Sequence, residues 1–109
     1  MCRPVSGESP DSMAKLVIGE AAEAEYQAAA EWYAERSPAV ADGFTEAVAA
    51  AFRRILDRPE WGAACDDAHR LVIVRGYPYQ IIYRNVVERS ILVVAVAHCS
   101  RRPAYWAGR

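Results

Sequence analysis

No apolar run in the 109 residues approaches the roughly 20 that a membrane-spanning helix needs, which excludes one. No apolar stretch precedes Lys15, so the N-terminus does not read as a secretory signal. There are only three cysteines (Cys2, Cys65 and Cys99), odd in number and irregular in spacing. That excludes a disulfide scaffold and fits free thiols in a reducing cytoplasm. A P-loop, a Gly-x-Ser-x-Gly elbow and a glycine-rich dinucleotide motif are all missing, as are internal repeats and low-complexity tracts. Lysine is represented once, beside twelve arginines, a ratio that a GC-rich genome explains without any appeal to function.

What remains is the composition of an ordinary small globular domain, 53% apolar and 25% charged, with a net charge of −1. The charge is unevenly placed. Residues 1–69 carry thirteen acids against six bases, a net −7, whereas residues 70–109 carry seven arginines against Glu88, a net +6. A basic half of this kind can meet a polyanion; equally, the two halves can neutralise each other within one domain.

Residues 1–12, with two prolines, three serines and no periodicity, are expected to form a disordered leader, with Met13 an alternative start and residues 13–109 a single domain. Residues 14–18 read as a short strand ended by Gly19. Alanine and glutamate then predict a helix over 20–36, its buried stripe marked by Ala22, Tyr26, Ala29 and Trp32/Tyr33. Ser37-Pro38 ends that helix and starts another, since proline holds Ser37 extended while suiting the first helical position itself. Val40, Phe44, Val48, Ala51, Phe52, Ile55 and Leu56 recur on one helical face up to Arg58. A loop is expected over 60–68. Valine, isoleucine and tyrosine then predict strands at 70–75, 79–84 and 91–97, joined by links short enough for an antiparallel meander. The last of these is apolar on both faces, as a central or covered strand would be. The order β-α-α-β-β-β describes an α+β domain, a helical hairpin on a small, mostly antiparallel sheet.

The C-terminal segment holds the densest chemistry. Arg101 and Arg102, followed by Tyr105 and Trp106, can hold phosphates and stack bases, and Arg70, Arg75 and Arg84 lie on strands that could share a face or rim with them. The alternative for Tyr105 and Trp106 is to fold back over the sheet while the arginines stay solvated. His98, at a strand end, can serve as a general base or a phosphate contact, or simply pack. Cys65, His69, His98 and Cys99 are soft ligand types, but neighbouring strand residues point to opposite faces, so no metal site is expected. Cys99 lacks the surroundings of a reactive thiolate, and Asp66-Asp67 reads as a solvated acid pair.

From residue 14 onward the chain resembles the RelE/ParE superfamily of toxins from type II toxin–antitoxin modules, nearest its ParE-like plasmid-stabilisation branch. The resemblance lies in Ala30-Glu-Trp-Tyr-Ala-Glu-Arg-Ser-Pro38, the Phe44 helix, Arg70, Tyr77-Pro-Tyr-Gln-Ile-Ile-Tyr83, and His98 leading to Arg101-Arg102-Pro103-x-Tyr105-Trp106. It implies the β-α-α-β-β-β fold and a cytoplasmic growth inhibitor that forms a hetero-oligomer with a cognate antitoxin, with no cofactor and no metal. The implied target is DNA gyrase for ParE-like members, or the ribosome and its mRNA for RelE-like endoribonucleases. Ribonuclease members typically carry a catalytic arginine where this chain has Gln80, and an amide cannot supply the fixed cation that a phosphorane-like transition state needs. Gln80 therefore favours the ParE-like reading, with His98 and Arg70 the catalytic candidates if the chain cuts RNA. Arg70, Arg75, Arg101, Arg102, Tyr105 and Trp106 are the expected target-binding residues. A relic that has lost toxicity and acts as a binding module is a further alternative.

Overall fold

Ser37 is what separates the two helices. Its backbone is extended (φ −164°, ψ 115°), its N–H bonds the Tyr33 carbonyl at the end of α1 (Glu20–Arg36), and its hydroxyl accepts from Val40 N–H at the start of α2 (Pro38–Asp57). Proline in the first turn of α2 costs no hydrogen bond, because that N–H has no partner within a helix. The computed structural model describes residues 15–86 and 90–109. The expected leader 1–12, the alternative start at Met13, Ala14 of the opening strand and Glu88-Arg89 of the last turn lie outside them.

The hairpin packs on one face of a five-stranded sheet ordered β1-β5-β4-β3-β2. β1 (Lys15–Ile18) runs parallel to β5 (Ser90–His98). β3 (His69–Val74), β4 (Tyr79–Asn85) and β5 form the expected antiparallel meander, with a bulge at Ile82/Tyr83. β5 is flanked on both sides, which accounts for its apolar run. One difference is β2 (Ala63–Ala64), which pairs with Leu71 and Arg70 in a segment read as loop. Two alanines carry neither β-branching nor alternation, so nothing in the sequence marks them as a strand.

The main core lies between the helices and the sheet. Phe44 is its hub, with ring centroids of Tyr33, Tyr77, Tyr79 and Tyr26 at 5.2, 5.4, 5.3 and 5.9 Å. Tyr77 also donates to the Val40 carbonyl at 2.9 Å, and a Cβ at Gly43 would overlap its hydroxyl, so the helix can approach the β3–β4 turn this closely only with glycine there. Two expected core residues lie outside it. Trp32 is half exposed, its ring covered by the Arg36 guanidinium at 3.5 Å, and Val40 in the first turn of α2 is exposed. Periodicity reports the direction a side chain points, not whether the element opposite extends that far.

Candidate functional site

Among the described residues no helix lies on the opposite face of the sheet, and the chain after β5 covers it. Ala95 and Ala97 of β5, beside Ile82, leave room for a ring, and Trp106 fills it, 7% exposed, with Leu71, Leu92 and Tyr105 around it. His69 lies against the indole at 4.7 Å between centroids, and its Nδ1 is 3.0 Å from the Asp66 carboxylate. Asp66 also accepts from the backbone N–H groups of Ala68 and His69, and these bonds, that from Ala68 foremost, hold its carboxyl below the usual range. Asp66 is exposed, as expected, and in addition closes the turn before β3. The neighbouring Cys65 thiol is pushed up by burial and then by the Asp66 charge, away from a reactive thiolate.

A carboxylate on α1 fastens this tail. Glu25 accepts from Tyr105 Oη at 2.6 Å, from Arg109 at 3.1 and 3.2 Å, and from Val96 N–H at 3.0 Å, while Arg109 donates to the Val94 carbonyl at 3.0 Å. The reason lies in the edge of β5. β1 ends opposite Val93, and the next polar groups of β5 are bonded by side chains in place of a strand. Burial alone would raise the Glu25 carboxyl, but the hydrogen bonds from Arg109, Tyr105 and Val96 outweigh it and hold it low. Burial, followed by the bond to Glu25, pushes Tyr105 up to about 12.

Between this tail and α1 lies a cleft of about 500 Å³, walled by Trp32, Tyr33, Tyr79 and Tyr105, with His98 and Arg101 at its rim. His98 stands edge-on to Tyr79 at 5.0 Å, and its Nδ1 receives the Ser100 N–H at 3.0 Å, with the Ser100 hydroxyl at 2.8 Å. A ring that accepts at Nδ1 carries its proton on Nε2 when neutral, so the outer nitrogen is a donor. Arg101 lies 3.9 Å above the Tyr105 ring, and Arg102 is exposed beside it. Ala104, between Arg102 and Tyr105, holds the turn in the left-handed region, at φ 59°.

The structure brings together only part of the expected site. His98, Arg101, Arg102, Tyr105 and Trp106 form one cluster, with Gln80 lining its far side. Trp106 packs its faces against the sheet and His69, so the indole is not free to stack on a base, and of the two readings of the aromatics the fold-back is the one observed. Arg70 points to the helix-bearing side and donates to the Gly62 carbonyl at 2.8 Å, as an anchor of the loop after α2. Alternation explains the miss, because Arg70 shares a face with Val72 and Val74, whereas the tail covers the face of Leu71. Arg75 lies in a separate groove with Arg54 and Arg58. Glu25 and Arg109 went unread. The signal for Glu25 was an acid three residues after Ala22 and four before Ala29, on the buried stripe of its helix.

The family model described as "ParE toxin of type II toxin-antitoxin system, parDE" matches residues 16–103. A solved structure titled "Chromosomal ParDE TA system from P. aeruginosa" contains a chain of similar fold, with a TM-score of 0.67 at 17% identity, over 79% of this chain and 96% of that one. No curated protein matches. No helix among the described residues is long and apolar enough to cross a membrane. With the family match spanning both helices and, but for Lys15, all five strands, the chain belongs to the ParE toxin family of type II toxin–antitoxin systems.

Proposed function

We propose that this toxin acts in the cytoplasm as a poison of DNA gyrase, is not a nuclease, and is held inactive in a hetero-oligomer with a cognate antitoxin. Gln80 carries the reading. It lines the pocket beneath the tail together with His98, Arg101 and Arg102, at the position where the ribonuclease members carry their catalytic arginine, and its amide lies 3.8 Å from Cys99 Sγ. The tautomer of His98 supports it further. With Nδ1 occupied by Ser100, the accessible nitrogen of the neutral ring donates, whereas a general base must accept. A second reading, ribosome-dependent mRNA cleavage, is favoured by one observation: His98 and Arg101 share the rim of a cleft large enough for a nucleotide.

The deciding experiment expresses the chain without its antitoxin and follows two readouts. Gyrase-linked DNA breaks with intact mRNA are the expected result. A folded His98→Ala variant that loses mRNA cleavage possessed by the wild type, on the order of 10²–10⁴-fold, would sink the gyrase reading. No growth inhibition at all would leave the inert binding module. The antitoxin segment that neutralises the basic half is expected to be acidic, with association slowing as salt rises.

A further inference from the structure

α2, the turn that follows it and the outer edge of β3 enclose a groove of about 680 Å³, lined by different charged residues from those of the tail. Three guanidinium groups line it, those of Arg54, Arg58 and Arg75, against one carboxylate, Asp57. Among the described residues none of the three has a carboxylate partner within salt-bridge distance. Burial and then the charge of Arg75 push the Arg54 guanidinium pKa down, as expected of cations gathered without a counter-ion. Trp61 stands beside them 70% exposed, with the Arg58 guanidinium 4.2 Å from its ring centroid. An indole exposed to this extent contributes little to the fold, and no core cluster includes it.

The edge itself indicates what the groove does not take. An added peptide strand would need the outward N–H and C=O groups of β3. β2 covers Arg70 and Leu71, and Arg54 Nη2 already bonds the Ile73 carbonyl, so a strand could add there only by displacing Arg54. What is left for recognition is a set of cations around an indole face. Guanidinium groups bind phosphates, and an indole takes an unstacked base, which only single strands, loops and ends present.

We propose that the Arg54–Arg58–Trp61–Arg75 groove is a binding site for single-stranded nucleic acid, with the arginines on phosphates and a base stacked on Trp61. The site is separate from the His98 cluster, and the inference does not depend on which target the toxin attacks. The test is fluorescence anisotropy of a labelled 12-residue oligothymidylate with the purified full-length chain, titrated between 20 and 200 mM salt. Binding is expected in the roughly 10⁻⁴–10⁻⁶ M range of non-specific association, with log K falling against log salt at a slope of about −2 for three phosphate contacts. The Arg58→Gln/Arg75→Gln variant should lower the magnitude of that slope by about 1.4. Trp61→Ala should weaken binding about tenfold with the slope unchanged, because stacking releases no counter-ions. Arg54 is spared because it holds the Ile73 carbonyl, and thermal melts confirm that the variants are folded. Three results would overturn the proposal: no binding at 20 mM salt; a polyglutamate peptide that competes as well as the oligonucleotide, with Trp61→Ala without effect; or binding lost in Arg101→Ala/Arg102→Ala and kept in the groove variants.

Discussion

Glu25 concentrates more long-range bonding than any other single side chain described here, joining α1, the edge of β5 and the end of the chain. Replacing it by alanine leaves Val96 N–H, Tyr105 and Arg109 without their acceptor, and a loss of about 2 kcal/mol is expected by urea unfolding. Amide exchange should rise over 99–109 while α2 keeps its protection. The pH dependence has a definite sign. A carboxyl held below its unfolded value stabilises the fold above the usual carboxylate range and loses that contribution as pH falls through the folded value. Tyr105 bounds the other side: with its folded pKa raised to about 12, its contribution is complete below pH about 10 and is lost as pH rises through about 12. Melting temperature should therefore fall in acid for the wild type, with a shallower fall for Glu25→Gln. Identical acid profiles for the two proteins would show that the tail is held by packing alone.

Among the elements, the segment after β5 and the loop after α2 each lean on a buried aromatic side chain in addition to their polar anchors. Trp106 is the core of the outer face, and Trp106→Ala should cost roughly 3–5 kcal/mol in chemical denaturation. Tyr83 works from the inner face: fully buried, it donates to the Pro59 carbonyl at 2.6 Å and accepts the Gly62 N–H at 3.2 Å. A Cβ at Gly62 would collide with that hydroxyl, so the loop closes on Tyr83 only through glycine. Tyr83→Phe removes one hydroxyl and strands the buried Gly62 N–H and the part-buried Pro59 carbonyl, and about 1–3 kcal/mol should be lost with the sheet intact by circular dichroism. These two contacts also mark the limit of what the chain discloses about its own fold. Helical spacing in α2 and β-branched runs in β3 to β5 are local signals, and the two helices and the meander are legible from them. The role of Arg70 and the burial of Trp106 depend on which face of the sheet the helices leave open, and the partners of Glu25, though not its place on a buried stripe, depend on where β1 stops. Those are facts of assembly, and no window of sequence contains them.

Across the whole molecule the acids lie mainly in the helical hairpin and the bases mainly in the sheet and tail, and Arg109 on Glu25 is where the two halves are joined by an ion pair. Among the described residues, that one ion pair leaves most of the basic surface unneutralised. Arg101 and Arg102 are exposed, and Arg101 is supported from below by the Tyr105 ring, a geometry that offers guanidinium groups outward with little freedom to lose on binding. If this is the surface that meets the target, Arg101→Ala/Arg102→Ala should abolish growth inhibition in cells lacking the antitoxin. The same variant should retain the wild-type far-ultraviolet spectrum and change stability by under about 1 kcal/mol, because exposed arginines contribute little to folding. Stability must be measured alongside toxicity, since Trp106→Ala would silence the toxin merely by unfolding it. A double variant that is folded and still fully inhibits growth would remove the tail arginines from the target-binding surface and leave the groove around Arg54, Arg58 and Arg75 as the remaining basic candidate described here.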